Sequence, residues 1–191
     1  MIRKKHDIVR RISVIGLLTA LTAVLSMIKI PILGVSVTLV LPVVVIGAAL
    51  FGPWVGAWLT VIPNIIAFGE AGIFLAESPV GCVITLLLKG ILAGIAAGLV
   101  YKYLHDKSYI RAVTLSALVA PIVNSGVFLL GCYIFIWDKL IAVAAEAGYG
   151  IGMLVFGMVG INFVIEIIFN TVLCPTILRL IKMASKKIKE K

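Results

Sequence analysis

Charged side chains are scarce in this 191-residue sequence, and acidic ones are the scarcest. Only 13% of the residues are charged, with 8 Asp and Glu against 17 Lys and Arg, whereas 62% are hydrophobic. Soluble domains carry roughly 25% charged residues, and a soluble protein of this length could not bury so much apolar surface. This composition excludes an ordinary soluble domain and indicates that the surrounding solvent is lipid.

The residues that build catalytic and metal sites are also few. The two histidines lie in basic segments, and the sequence contains no H-E-x-x-H motif and no Ser-His-Asp arrangement. It has no G-x-x-x-x-G-K-[ST] run to cradle ATP phosphates, and its acidic residues are too scattered for a metal cage. We therefore expect no enzyme, no metal and no organic cofactor. The three cysteines lie inside apolar runs and are interpreted as small buried hydrophobes: Cys82, Cys132 and Cys174.

Basic residues are present in excess, and their positions follow a membrane pattern. They form three clusters beside apolar runs, at 3–11, 102–111 and 179–191. Cytoplasmic loops of membrane proteins carry such an excess of Lys and Arg, whereas nucleic-acid grooves also offer aromatic side chains for base stacking. We interpret the charge as a topology signal next to membrane lipid and expect no nucleic-acid partner.

The apolar runs predict an all-α integral membrane protein with one domain over residues 1–191. Six transmembrane helices are expected, at about 12–28, 37–51, 54–68, 80–103, 112–137 and 151–181. With both termini cytoplasmic, this six-helix bundle places most basic residues on the inside, as a multi-pass protein of the plasma membrane would. Three spans are shorter than the roughly 20 residues that cross a bilayer, which favours tilted or broken helices around a cavity. The first span resembles a signal peptide, but no cleavage site follows, so we expect it to be retained.

Polar residues inside the predicted spans are the candidate binding site. A charge in the hydrocarbon normally faces protein or a water-filled cavity, and Lys89 is expected near mid-bilayer depth. On the last span, polar residues recur every four positions and so share one helix face. The set comprises Asn64, Lys89, Asn124, Asn162, Glu166 and Asn170.

Two interpretations of this set stay open. In the first, the side chains line an outward-opening pocket in which Lys89 faces a ligand carboxylate or carbonyl. In the second, Lys89 and Glu166 form a structural ion pair and the amides bond between helices. We favour the pocket, because the set is larger than a bundle of this size needs.

Small residues form a second pattern, on two of the helices. Gly90, Gly94 and Gly98 are spaced by four on the fourth span, and this stripe lets another backbone approach closely. Internal packing is the expected role there. On the first span, Gly16, Ala20 and Ala23 form a similar face, for which a partner subunit is a serious alternative.

Several short sequence segments occur in an order that is typical of one family of membrane proteins. They are Gly16-Leu17-Leu18-Thr19-Ala20, Gly47-Ala48-Ala49-Leu50-Phe51-Gly52-Pro53, Lys89-Gly90 and Ala120-Pro121-Ile122-Val123-Asn124-Ser125-Gly126, between a basic start and a basic tail. In these features the chain resembles the substrate-binding S components of energy-coupling factor (ECF) vitamin transporters. The resemblance extends over nearly the whole length.

The resemblance implies a six-helix bundle that binds a vitamin from outside with high affinity. It implies docking to a transmembrane coupling subunit, with two ATPase subunits below, through an A-x-x-x-A pattern on the first helix. Here Gly16 and Ala20 occupy that pattern. The family's gating loops correspond to Pro31–Thr38 and Gly69–Pro79, and transport would proceed by toppling of the whole subunit.

The ligand is predicted from the polar set and from the shortage of aromatics. Only 8% of the residues are aromatic, whereas thiamine- and riboflavin-binding relatives stack their ligands on several rings. Amides plus Lys89 suit a small, hydroxylated, anionic ligand, so pantothenate is our first choice, with riboflavin and pyridoxine-type vitamins next. An oligomeric channel and a ligand-free membrane assembly protein are the competing functions.

Overall fold

The computed structural model of the protein describes residues 2–28, 30–32, 35–37 and 39–189. The helices are α1 (Ile2–Met27), α2 (Val40–Phe51), α3 (Pro53–Leu59), α4 (Val61–Phe68), α5 (Gly72–Glu77), α6 (Pro79–Leu104), α7 (Tyr109–Phe135), α8 (Trp137–Glu146), α9 (Ile151–Val155) and α10 (Ile161–Lys189). One π-helical turn, Phe156–Gly160, joins α9 to α10. Within these residues the fold is all-α except for an antiparallel pair of three-residue strands, β1 (Ile30–Ile32) and β2 (Val35–Val37), in a segment expected to be a loop.

Three of the described helices are long and apolar enough to cross a membrane. They are α1 from Ile8 onward, α6 and α7. Shorter apolar helical segments are Val40–Phe51, Pro53–Phe68 and Ile161–Asn170. These lengths and this composition are those of a helical membrane protein.

Helix α7 packs antiparallel against α6 on one side and against α10 on another. A Cβ atom on Gly81 would meet Phe135, and one on Gly131 would meet Thr85, which fixes the register of α6 against α7. At the other end of α7, the Tyr109 hydroxyl donates a hydrogen bond of 3.0 Å to the Leu178 carbonyl of α10.

The two ends of the bundle differ in charge. The basic end carries Lys102, Lys107 and Arg111, and α1 reaches it too, because the Arg11 guanidinium donates a hydrogen bond to the Phe51 carbonyl at 3.1 Å. The opposite end, which we call the α5 end, carries α5 and α8. A buried cluster joins these short helices to α6 and α7: Phe74, Cys82, Leu86, Cys132, Ile136 and Leu140.

The glycine stripe of α6 packs against α3 with backbone in contact with backbone. A Cβ atom on Gly94 would lie 2.5 Å from the Gly56 carbonyl oxygen and 2.6 Å from the Ala57 nitrogen. One on Gly98 would lie 2.5 Å from the Pro53 Cα atom. Internal packing, the role expected for this stripe, is therefore what the structure has.

Two prolines decide where the short helices begin and break. Pro42 lies in the first turn of α2. Backbone N–H groups in a first turn have no intrahelical acceptor, so proline loses no hydrogen bond there. Pro63 cannot donate to the Leu59 carbonyl, and its ring crowds that group, so the segment predicted as one span over 54–68 breaks at Thr60 into α3 and α4. The break brings Asn64 of α4 against α6.

Candidate functional site

Four polar side chains from three helices meet inside the bundle, and we call them the central polar cluster: Lys89, Asn124, Asn162 and Glu166. The Asn162 amide donates a hydrogen bond of 3.4 Å from Nδ2 to Glu166 Oε1. Asn124 of α7 approaches the same carboxylate, and the charge of Lys89 on α6 interacts with it. Asn124 and Glu166, which lie 35 and 77 positions after Lys89 in the sequence, thus share one site with it.

Lys89 is held by an aromatic ring. Its Nζ atom lies 4.9 Å from the centroid of the Phe128 ring on α7, a cation–π distance. In the described part of the chain, Lys89 and Glu166 do not form a direct ion pair. The charges of Lys89 and Glu166 therefore interact without direct contact.

Buried polar atoms without a protein partner concentrate on the predicted site residues. Glu166 is 8% exposed, Asn64 7% and Asn170 1%. Within the described residues, seven buried side-chain atoms lack a hydrogen bond, and five of them are Asn64 Nδ2, Asn162 Oδ1, Glu166 Oε2 and both polar atoms of Asn170. Each such atom costs about 1–3 kcal/mol if nothing solvates it, so a ligand or ordered water is expected there.

Asn64 and Asn170 lie next to the cluster. Asn64 packs against Gly90, where a Cβ atom would collide with its amide, and Gly90 follows Lys89 directly. Asn170 lies one helical turn beyond Glu166, on the same face of α10 and closer to the basic end. All six residues singled out in the sequence are thus placed in or beside one region.

Two aromatic rings, Phe128 and Phe74, adjoin the cluster on the side of the α5 end, and we call them the aromatic roof. The Phe128 ring that carries Lys89 packs at 6.2 Å against Phe74 of α5, which is 4% exposed. Sequence reasoning missed both rings, because neither carries a polar group. The only sequence signal was that Phe128 lies one turn after Asn124 on α7.

An ion pair at the surface ties α5 to α8. Lys139 Nζ lies 2.9 Å from Glu77 Oε1. The hydrogen bond that Lys139 donates to this carboxylate, and the negative charge of Glu77, raise the pKa of Lys139. Phe74 and Glu77 belong to the same short helix, so α5 is anchored both by this ion pair and by the Phe74–Phe128 contact.

Two cavities open elsewhere on the molecule. One of about 470 Å³ lies at the α7–α8 corner and is lined by Glu77 and residues 133–139. The other, of about 360 Å³, is an apolar groove between α7 and the α9–α10 segment. Neither is lined by a residue of the central polar cluster.

The small-residue face of α1 is largely uncovered by the part of the chain that the structure describes. Gly16 and Ala20 are exposed and Ala23 is half-buried. A Cβ atom on Gly16 would have no neighbour within 4 Å. Of the described α1 side chains, only Thr22 and Ser26 are buried, so this helix packs with most of its surface outward.

Comparison with known families gives one match. The family described as "ECF transporter, substrate-specific component" matches residues 10–178. This match covers α1 from Arg10 onward and extends into α10, and it confirms the resemblance that the sequence motifs indicated. No curated protein and no solved structure matches the chain.

Proposed function

Because the chain belongs to the family of substrate-specific components of ECF transporters, we propose that it is the high-affinity subunit of an ECF-type ABC importer that captures a vitamin from outside the cell. Membership makes it a transporter subunit with a small-molecule substrate and ECF-module partners, rather than an enzyme. It also disfavours the oligomeric channel and the ligand-free assembly protein.

The proposed topology has six spans in the plasma membrane. The basic end would face the cytoplasm, because Lys and Arg are enriched in cytoplasmic loops, and the α5 end would face outward. The broken α3–α4 pair and the short α2 would cross as tilted or interrupted helices that are buried against neighbours. α5 and the β1–β2 segment would then lie at the outer entrance.

The central polar cluster, with Asn64 and Asn170, is the proposed substrate site. The observation that carries this proposal is the convergence of polar side chains from α6, α7 and α10. Buried atoms of Asn162, Glu166 and Asn170 on α10, and of Asn64 on α4, lack protein partners among the described residues. A purely structural network would be expected to satisfy its own donors and acceptors. Pantothenate remains the first candidate, and riboflavin and pyridoxine-type vitamins are the next.

The exposed face of α1 is the proposed docking surface for the transmembrane coupling subunit. Gly16, Ala20 and Ala23 would let a helix of that subunit approach closely. Two ATPase subunits would then power release of the substrate into the cell.

The test is direct binding to the purified protein. Small molecules that co-purify would be identified by mass spectrometry, and labelled pantothenate, riboflavin and pyridoxine would be titrated against the emptied protein. The double variant Lys89→Met and Glu166→Met should weaken binding about 100-fold or more, because each charged group contributes about 1.5–3 kcal/mol to a buried hydrogen bond. The matched control is Lys102→Met, an exposed lysine at the basic end of α6, which should leave affinity unchanged. Intact affinity in the double variant would refute the proposed site.

A further inference from the structure

The polar groups occupy successive levels along α7. Asn124 lies beside Glu166 of α10, and Val113 packs in one cluster with Ile177. The same number of residues separates Asn124 from Val113 as separates Ile177 from Glu166, so α7 and α10 run antiparallel in constant register.

This register assigns each polar group a depth below the aromatic roof. The Lys89 ammonium lies at the level of Phe128, against the inner ring of the roof. Asn124 and Glu166 lie one helical turn deeper, and Asn170 lies one turn deeper again. Two turns correspond to about 11 Å along the bundle.

The chemistry of the levels is asymmetric. The shallow level offers a cation that lies on an aromatic face and interacts with the Glu166 charge only at a distance, so it suits an anion in direct contact. The deeper levels offer Glu166 Oε2 and both polar atoms of Asn170, all without a hydrogen-bond partner in the described residues and on residues nine-tenths or more buried. The two oxygens require hydrogen-bond donors, and the Asn170 Nδ2 group can in turn donate to a ligand hydroxyl or carbonyl oxygen. A ligand carboxylate at that depth would instead face the Glu166 carboxylate across a low-dielectric interior, where like charges repel strongly.

We propose that the ligand lies along the bundle axis, with a carboxylate at Lys89 beneath the aromatic roof and hydroxyl or amide donors at Glu166 and Asn170. This inference rests on the proposed function and narrows its substrate class. The substrate is an elongated molecule about 10 Å long, anionic at one end and rich in hydrogen-bond donors at the other. Pantothenate, with one carboxylate, an amide and two hydroxyls, belongs to this class, whereas riboflavin and pyridoxine lack the carboxylate.

The experiment uses two ligands that differ only at the anionic end. Pantothenate and panthenol, in which a primary alcohol replaces the carboxylate, would be titrated by isothermal calorimetry against the full-length protein in detergent. The unaltered protein should bind pantothenate at least tenfold more tightly than panthenol, since a charge-assisted hydrogen bond is lost with the alcohol. Riboflavin and pyridoxine complete the panel.

Variants then assign the two ends of the ligand. Lys89→Met should bring the pantothenate-to-panthenol ratio close to one, and Lys89→Arg should restore the preference. Asn170→Leu should weaken both ligands by a similar factor and leave the ratio unchanged, because the two ligands share the donor end. The ratio in the unaltered protein tests the inference even if a variant fails to fold.

The outcomes separate the two proposals. Equal or tighter binding of panthenol, riboflavin or pyridoxine overturns the orientation and the substrate class but leaves vitamin capture standing. A ratio unaffected by Lys89→Met, or one changed by Asn170→Leu, overturns the orientation alone. Absence of binding by every member of the panel overturns the proposed function and this inference with it.

Discussion

Replacing Gly94 by Ala tests whether the α3–α6 crossing holds the site together. The added Cβ atom would lie 2.5 Å from the Gly56 carbonyl oxygen and 2.6 Å from the Ala57 nitrogen. Both neighbours are backbone atoms, so no side chain can rotate away, and α3 must move from α6. Overpacking of a tight core costs about 1–3 kcal/mol, and a contact with backbone belongs at the upper end of that range.

A second glycine provides a matched control. Gly126 lies inside α7, and a Cβ atom there would have no neighbour within 4 Å. Both substitutions gain at most about 1 kcal/mol of helix propensity. The expected net change is therefore a loss of about 2 kcal/mol for Gly94→Ala and a gain between zero and about 1 kcal/mol for Gly126→Ala.

Thermal unfolding in detergent measures the difference. For a chain of this size, 1 kcal/mol shifts the midpoint by about 2–4 °C, so Gly94→Ala should unfold about 4–8 °C below the unaltered protein, and Gly126→Ala should not fall below it. Ligand affinity should fall in Gly94→Ala as well, because α3 leads into the helix that carries Asn64. Coincident unfolding of the two variants would refute the close backbone approach.

Three further predictions concern a cap, a buried amide and an ion pair. Ser78 accepts a hydrogen bond from the Gly81 N–H at the start of α6, so Ser78→Ala should cost about 1 kcal/mol in thermal unfolding, and Ser78→Asp should not. Asn170→Leu should raise the stability of the ligand-free protein by about 1–3 kcal/mol, because two unpartnered buried polar atoms are removed. Lys139→Gln should speed hydrogen exchange of α5 amides, because the ion pair with Glu77 is lost. The raised pKa of Lys139 means that this contribution is complete below the ordinary lysine value of about 10.4 and is lost as the pH rises through the raised value.

Each of these predictions has a result that contradicts it. Equal unfolding of Ser78→Ala and Ser78→Asp would mean that the cap contributes nothing. A destabilised Asn170→Leu protein would indicate that this amide has a partner that stabilises the fold without ligand. Unchanged α5 exchange in Lys139→Gln, or protection factors of α5 amides that are the same above and below the raised pKa of Lys139, would exclude the ion pair as a restraint on α5.

The composition and the local spacing of residues were sufficient to predict the class of protein, its family and the polar face of α10. Scarce charge and long apolar runs predicted a helical membrane protein, because burial of so much apolar surface in water is impossible for a chain of this length. The family-like segments predicted the substrate-specific component, which the family match confirms. Spacing by four also placed Asn162, Glu166 and Asn170 on one face, since helical periodicity is a property of a single segment.

The tertiary structure decided which distant groups meet. Three contacts depend on the registers of α4, α6, α7 and α10. They are Asn124 with Glu166, the Lys89 ammonium with the Phe128 ring, and Asn64 with Gly90. Close backbone contacts between helices set those registers, and these contacts join residues far apart in the chain. The break at Thr60 sets the direction of α4. Periodicity within one helix contains no information about its rotation or height relative to another, so the depths of these polar groups could be known only from the packed bundle.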